Sequence, residues 1–453
     1  MKISINRFIS ARTYKTDLTE GGFVLDERSG VYYLLKGKIS FLFEACIKYQ
    51  DFEKILIKAK EMNMEAELLP FLAELKKKEI IRTDKNFPFE GEKFLSCIIR
   101  KNTKQFSVFD DSLEKFLYKN NFLNELSLQL SYKCNLRCKH CFNPKDKDKY
   151  EISFENAKKI IDEAYTLGIT KVMITGGECS IHKDFLKIIN YIRGKHLSLN
   201  FLTNAQMLYN DDFFQEVVSL FPHSIQISLY SMNPDTHDYI TGIEGSHKKT
   251  LHVIKKLREN NINTAIACHQ LKFNKYHYKE ISKFAASIEA EIKTDCFFID
   301  NKKNNNSHVQ PSDKDIEEFY SYKIKETIKN KEKLRNFTKS KLFVCRGGIM
   351  NLNISPNLDI TPCNDFNYVL GNYNNVSLKD VLNNVVPEFK RRYIRDNLKE
   401  CFKYEYCRYC DYCPSRAMFD SGFMKKSPAL CRHAKIYYNA LQKLQQDSIC
   451  NKT

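Results

Sequence analysis

Three cysteines stand close together in Ser131-Tyr132-Lys133-Cys134-Asn135-Leu136-Arg137-Cys138-Lys139-His140-Cys141-Phe142, with the spacing C-x3-C-x2-C. Soft thiolates on one short loop suit three irons of a 4Fe–4S cluster, which leaves the fourth iron for a ligand that is not protein. A zinc site with His140 as fourth ligand is the plainer alternative, but adjacent His140 and Cys141 serve one tetrahedral metal poorly. A second stretch, Thr175-Gly176-Gly177-Glu178, combines backbone able to approach a ligand closely with a carboxylate that accepts from an ammonium group.

A further set, Cys345, Cys363, Cys401, Cys407, Cys410, Cys413 and Cys431, lies toward the end of the chain. Its clustered thiols point to metal, and the Cys-x2-Cys repeats fit a pair of zinc sites as the plainer reading. Cys46, Cys97, Cys179, Cys268, Cys296 and Cys450 read as core or surface thiols, Cys179 and Cys268 being placed to line a cavity.

The 453 residues predict two or three domains, and 43% hydrophobic with 28% charged residues excludes extended disorder. No apolar run has the length of a secretory or membrane-spanning segment, so the chain reads as soluble and cytoplasmic, with no membrane among its partners. In a reducing compartment, 16 cysteines point to metal rather than disulfides. The net charge of +17 favours acidic partners. Its basic residues are scattered, and the runs Lys76–Lys78 and Lys323–Lys333 read as solvated helix faces, which ranks an acidic peptide or metabolite above nucleic acid.

The elements that must position these cysteines follow from hydrophobic periodicity. Residues 1–84 predict a winged-helix-like module: short strands at Phe23–Leu25 and Val31–Leu35 joined by a hairpin turn, helices at Ile39–Ile47, Phe52–Lys60 and Leu68–Lys77, and a closing strand at Ile80-Ile81. Residues 85–122 read as a linker. From 123 to 335, strands near Leu126–Leu130, Lys171–Thr175, Leu197–Thr203, Ser224–Leu229, Ile262–Cys268 and Ile292–Ile299 alternate with helices. Six units are too few for a closed eight-fold barrel, so the fold class is α/β, a partial (βα)6 TIM-type barrel with its chemistry at the carboxyl ends of the strands. Residues 336–453, with few long helices expected, form a cysteine-rich third domain.

The cysteine triplet after strand one and Gly-Gly-Glu after strand two resemble the radical S-adenosylmethionine (radical SAM) enzymes. The resemblance implies that Cys134, Cys138 and Cys141 hold the cluster, that its open iron takes the amino and carboxylate groups of S-adenosyl-L-methionine, and that Gly176, Gly177 and Glu178 contact the amino group. Ser228 matches a position that contacts the ribose or carboxylate, and Thr203-Asn204 matches the family's Thr-Asn-Gly, with Ala205 in place of Gly. His140 stands where an aromatic residue is frequent and is expected flat on the adenine. Thr241 stands where many relatives carry Arg.

Cys345-Arg346-Gly347-Gly348, Ile354-Ser355-Pro356-Asn357, Thr361-Pro362-Cys363 and Leu370-Gly371-Asn372 resemble the SPASM domain, with Leu358 in place of a usual Gly. The interleaving of that family implies one cluster on Cys401, Cys407, Cys410 and Cys431, and another with an open iron on Cys345, Cys363 and Cys413. The first 84 residues resemble the PqqD-like leader-recognition element, through Gly22-Phe23-Val24-Leu25-Asp26 and Tyr32-Tyr33-Leu34-Leu35. In relatives the leader adds as an extra strand at the edge of the hairpin sheet.

The order of the three parts is similar to sactisynthases, which form cysteine thioether crosslinks in ribosomally made peptides. It implies an oxidoreductase that cleaves S-adenosyl-L-methionine to a 5′-deoxyadenosyl radical, abstracts hydrogen from a precursor peptide held by residues 1–84, and draws electrons from a flavodoxin- or ferredoxin-type reductant. Carbon–carbon crosslinking, decarboxylation or a sulfatase-type oxidation would use the same parts. A zinc-binding, winged-helix regulator of nucleic acid is the reading from another class. No single acid or base stands out as catalytic.

Overall fold

The computed structural model describes residues 1–15, 20–29, 31–84, 96–99, 122–143, 149–296, 306–331, 334, 345–366, 368–394 and 397–450. The amino-terminal module contains β1 (Ile3–Ile5), β2 (Ile9–Lys15), β3 (Glu20–Asp26), β4 (Val31–Lys36), helices α1 (Ile39–Tyr49), α2 (Phe52–Glu61) and α3 (Glu65–Lys77), then β5 (Ile81–Thr83) and β6 (Ser96–Ile99). The antiparallel sheet runs β2-β3-β4-β6, and β1 pairs with β5. Phe23 and Leu25 of β3 join the core shared with the barrel, whereas the intervening Val24 packs with the three helices. That alternation follows the two-residue period of a strand, and here both faces of the sheet are covered.

Strand β2 extends the expected hairpin and was hidden by its polar residues. Ser10 and Arg12 are buried because the barrel supplies their partners: Arg193 Nη1 donates to Ser10 Oγ at 2.6 Å, and the Arg12 guanidinium lies 3.8 Å over the Tyr165 ring. Strand β6 falls inside the stretch read as a linker, the rest of which lies outside the described residues apart from residue 122.

The barrel follows: β7 (Glu125–Gln129), α4 (Phe154–Thr166), β8 (Lys171–Thr175), α5 (Phe185–Gly194), β9 (Ser198–Thr203), α6 (Asp211–Val218), β10 (Ser224–Ser228), α7 (Pro234–Thr241), α8 (Ser246–Glu259), β11 (Thr264–His269), α9 (His277–Ser287) and β12 (Glu291–Asp295). Six parallel strands lie in the order β12-β11-β10-β9-β8-β7. Helix α4 illustrates why: the Ser153 side chain accepts from Asn156 N, and Ala157, Ile160, Ile161 and Ala164 bury one helical stripe. The sixth strand ends at Asp295, and the last part of the expected run to Ile299 lies outside the described residues. Helix α7, capped by Asn233 with Pro234 in its first turn, stands where no element was expected, because its eight residues are too polar to show a period.

The sheet continues beyond six strands. The chain returns as β13 (Asn351–Ile354), parallel to β7, followed by antiparallel β14 (Asp359–Thr361) and β15 (Gly371–Asn372). An open barrel leaves one edge strand with unpaired backbone groups, and β13 satisfies them. Helix α10 (Asp313–Lys329) precedes these strands; α11 (Val386–Arg392), α12 (Pro414–Asp420) and α13 (Pro428–Cys450) follow. The long α13 stands among short helices in the cysteine-rich region. Its Tyr437, Ala440 and Leu441 pack on Phe319, Tyr320 and Ile324 of α10. No helix among the described residues is long and apolar enough to cross a membrane.

The module is joined to the amino-terminal ends of the barrel strands. Arg193 donates to the carbonyls of Arg7 and Leu220 at 2.6 and 2.9 Å, and Glu27 meets His223 at 2.7 Å. The cysteine loop opens from the opposite, carboxyl end.

Candidate functional site

Backbone pairing holds the loop after β7 in place. Ser131 O accepts from Gly177 N at 2.7 Å and Lys133 O from Glu178 N at 2.8 Å, while Arg137 N and Lys139 N donate to Thr241 O and Ile240 O at 2.8 and 2.9 Å. A Cβ at Gly177 would lie 2.2 Å from Lys133 O, and one at Gly176, whose φ is +146°, would lie 2.4 Å from Ser131 O. The two glycines thus allow close approach of this loop to the cysteine loop itself.

Glu178 is 1% exposed, and its carboxylate is engaged by Ser180 N at 3.1 Å, Thr203 Oγ1 at 2.7 Å, Asn204 N at 2.6 Å and the Ser180 hydroxyl. Burial pushes this carboxyl upward, against the lowering effect of those donors. It braces the loops after β8 and β9. Asn204 continues the brace: its Nδ2 donates to Asn135 Oδ1 at 2.6 Å and toward Cys134 Sγ at 3.7 Å. Leu136 N also points to Cys134 Sγ, at 3.4 Å. Two N–H groups aimed at one sulfur favour its thiolate, the form that ligates iron.

Ser228 ends β10 and is hydrogen-bonded with Tyr230, whose phenol burial pushes well up. The His140 ring lies edge-on to Tyr230 at 4.7 Å and 6.0 Å from His269. Its Nδ1 is buried without a hydrogen-bond partner, and burial, then His269, pushes it down to about 3, so the ring is neutral. Thr241 turns inward, its hydroxyl 2.7 Å from Ser246 Oγ. It does not take the place of an arginine side chain at the mouth.

The carboxyl-terminal thiols separate into two groups. Cys401, Cys407, Cys410 and Cys431 line one small cavity with Tyr406 and Tyr412. Burial pushes Cys401 up to about 11, and the neighbouring Cys431 and Cys407 add to it. In the other group, Cys413 and Cys345 act electrostatically on Cys363, and Tyr393, 1% exposed, is hydrogen-bonded to Cys345. Burial also pushes up Cys363, Cys410, Cys413 and Cys431, and such thiols resist ionisation until a cationic centre compensates them, so both groups fit iron–sulfur centres chemically. Among the described residues, no three His, Cys, Asp or Glu side chains converge on a single metal ion. A cubane, by contrast, spreads its thiolates over separate corners.

Between the barrel mouth and the carboxyl-terminal domain lies a chamber of about 530 Å³, bounded by His269, Asp295, Cys345, Cys413, Arg416 and His433 among others. Asp295, at the end of β12, forms an ion pair with Arg416 of α12. His433 Nδ1 lies 3.0 Å from the Tyr320 hydroxyl, and burial pushes this imidazole down to about 4. Asp365, also on the wall, is raised by burial, against the lowering effect of His269 and Arg416. Sequence reasoning missed these groups, since each acquires its neighbours only across domains; the Arg three residues after Cys413 was the single local signal.

The remaining thiols stand outside the two carboxyl-terminal thiol groups. Cys46 lies in the module core, Cys179 Sγ donates to Leu202 O at 3.2 Å, Cys268 is buried beside Gln270, and Cys296 lies 3.9 Å from His433. Cys97 lies on β6 opposite Tyr33, and Cys450 ends α13.

Comparison with known proteins agrees with this architecture. Residues 128–285 match the radical SAM superfamily, and residues 345–414 match the SPASM iron–sulfur cluster-binding domain. The chain is 24% identical over 328 residues, 68% of its length, to the antilisterial bacteriocin subtilosin biosynthesis protein AlbA of Bacillus subtilis, covering 70% of that protein. It is 29% identical over 157 residues, 34% of its length, to the sporulation killing factor maturation protein SkfB of the same organism, covering 37% of that protein. In fold it resembles Streptococcus suis SuiB bound to its precursor peptide SuiA, with a TM-score of 0.58 and 15% identity over 95% of this chain and 99% of that one. The two family matches fall on the barrel and on the cysteine-rich region, and the chain therefore carries a radical SAM domain in its barrel with a SPASM iron–sulfur domain behind it.

Proposed function

We propose that this enzyme matures a ribosomally synthesised peptide by forming an intramolecular crosslink, with a cysteine thioether as the product. The observation that carries this reading is the chamber of about 530 Å³, walled on one side by His269, which neighbours His140 of the cysteine loop, and on another by Cys345 and Cys413. A peptide segment entering it would meet both centres. The relatives support the same reading: AlbA is named for biosynthesis of a bacteriocin, SkfB for maturation of a killing factor, and SuiB was solved with a precursor peptide.

In this reading Cys134, Cys138 and Cys141 hold the 4Fe–4S cluster that binds S-adenosyl-L-methionine. Cys401, Cys407, Cys410 and Cys431 hold one auxiliary cluster, and Cys345, Cys363 and Cys413 the other. When bound, the first cluster and its nucleotide supply the radical reactivity toward an unactivated C–H bond that no acid–base side chain possesses. The chain supplies position and exclusion of water. Gly176 and Gly177 let the loop after β8 lie against the cysteine loop, and Glu178 and Asn204 lock the next loop to it. The neutral ring of His140 offers a flat, uncharged surface for the adenine, and Ser228 a hydroxyl at the mouth. The Asp295–Arg416 pair bridges barrel and SPASM domain across the chamber wall, so that the peptide meets both in a fixed relation. Residues 1–84 are the reader of the peptide leader, and an acidic leader suits the net charge of +17.

The testing experiment uses anaerobically reconstituted protein with dithionite, S-adenosyl-L-methionine and a cysteine-containing candidate precursor. The expected result is brown protein with about 8–12 irons, as two or three four-iron clusters require, release of 5′-deoxyadenosine, and a peptide product two hydrogens lighter. Colourless protein that holds zinc and releases no 5′-deoxyadenosine would sink the reading.

A further inference from the structure

The centre proposed for Cys134, Cys138 and Cys141 requires an electron for each nucleotide it splits, and the structure carries a surface suited to delivering it. Lys139 is bonded directly to Cys138 in the chain, and its Nζ lies 4.2 Å over the ring of Tyr239 on α7. Tyr239 is 51% exposed and packs edge-on against Phe273 at 5.1 Å, and Lys272 Nζ lies 5.1 Å from the Phe273 ring. Arg137, one residue before Cys138, is exposed as well. Lys139, Tyr239, Phe273 and Lys272 form one continuous strip in which two cations flank two aromatic rings. Asp238, next to Tyr239 in the chain, is the carboxylate nearest to it in sequence, and its oxygens are taken up by Gly245 N at 2.6 Å and by Ser246 Oγ and His247 N at 2.8 Å.

The strip has a structural reason to be rigid. Arg137 N and Lys139 N are anchored on the end of α7 by hydrogen bonds to Thr241 O and Ile240 O, so the cysteine loop and the Tyr239 helix move as one body. An exposed tyrosine held by a cation on one side and a ring on the other offers an apolar contact at low entropic cost, and the flanking cations add long-range attraction.

We propose that this strip docks an acidic one-electron carrier protein of the flavodoxin or ferredoxin type. The inference rests on the cluster assignment made above. In the transfer one electron leaves the carrier, which is oxidised by one unit, and the centre held by the three cysteines gains it; no bond forms or breaks. A carrier seated over Tyr239 lies against Lys139, the residue next to Cys138 in the segment that bears the ligands. The exposed Tyr404 beside Lys426, near the Cys401 group, is the competing place. It is less suited, because it flanks a different set of thiols and stands among Glu400 and Glu405 as well as cations.

The test measures binding of a purified acidic flavodoxin, with its flavin oxidised, to the reconstituted enzyme at low ionic strength. The expected dissociation constant rises at least tenfold in the Lys139→Glu/Lys272→Glu double variant, about threefold in Lys272→Glu alone, and steeply with added salt in the parent protein. Release of 5′-deoxyadenosine driven by dithionite, which needs no docking surface, is expected to stay at the parental rate. An unchanged dissociation constant in the double variant, or loss of binding only on reversing Lys426, overturns the proposal. Absence of dithionite-driven cleavage in the parent would overturn the cluster assignment instead, while the binding measurement would still report on the strip.

Discussion

Asn204 donates its backbone N–H to Glu178 at 2.6 Å and turns its side-chain amide toward Cys134 Sγ at 3.7 Å. One residue at the end of β9 therefore ties a buried carboxylate at the end of β8 to a thiol after β7. Three successive strand ends are cross-linked through it. The carboxylate receives donors on both oxygens, so exchanging one oxygen for an amide nitrogen sets donor against donor. Glu178→Gln is expected to cost about 1–3 kcal/mol of stability through the groups left unsatisfied. Chemical denaturation measures that cost, and equilibrium dialysis with S-adenosyl-L-methionine should show at least a tenfold loss of affinity. An unperturbed variant would mean that the brace is dispensable.

Gly177→Ala tests the close approach of the two loops. Its Cβ would stand 2.2 Å from Lys133 O, a backbone atom that cannot rotate aside. The cysteine loop must then shift, and iron analysis should show loss of about four irons while the auxiliary iron remains. Full iron content with normal nucleotide cleavage would refute this account of the glycine.

The partition of the carboxyl-terminal thiols makes a separable prediction. Cys401→Ala/Cys407→Ala and Cys345→Ala/Cys413→Ala are each expected to lose about four irons, and the combined variant about eight. Mössbauer spectra should show one auxiliary signal surviving in each pair. If either pair alone removes all auxiliary iron, the thiols do not divide in this way.

The wall of the chamber should matter for coupling rather than for nucleotide cleavage. Arg416→Met leaves Asp295 without the partner that links β12 to α12. Product formation from peptide is expected to fall at least tenfold, with 5′-deoxyadenosine still released in its presence. Equal loss of both would assign Arg416 to the nucleotide rather than to the peptide.

The joint between module and barrel should weaken in acid. Burial, then Arg193, pushes His196 down to about 4 from its ordinary 6.5, and Glu27 is held low by His223, Arg193 and Ser10 despite its burial. Both shifts have the same sign for stability. Each group binds a proton more readily when released, so their contributions are present near neutrality and lost on acidification, that of His196 between about pH 6.5 and 4. Limited proteolysis across this range should release the module progressively. His196→Asn should remove the part of that dependence that begins near pH 6.5; an unchanged profile in this variant would place the acid sensitivity elsewhere.

Local chemistry explains how far a one-dimensional reading reaches here. The barrel strands were readable because most are short runs whose apolar side chains are buried, as in Lys171–Thr175 and Ser198–Thr203, and helix α4 carries a continuous apolar stripe; β12 is half-buried along its length. The cysteine triplet was readable because its ligands are neighbours in the chain. Strand β2 was not, since Ser10 and Arg12 become core residues only when Arg193 and Tyr165 meet them from another domain. Helix α7 and strand β6 are too short and too mixed to show a period.

The amino-acid order alone specified the barrel class, the three clustered thiols, the seven later ones and the glycine pair, because spacing and periodicity are properties of neighbours along the chain. Folding alone decided that Glu178 is a brace, that Tyr393 sits among Cys345, Cys363 and Cys413, that β13 completes the barrel edge, and that Asp295 and Arg416 face one another across a chamber. Each of these depends on residues far apart in the chain meeting in a buried place, where loss of water makes a missing partner costly.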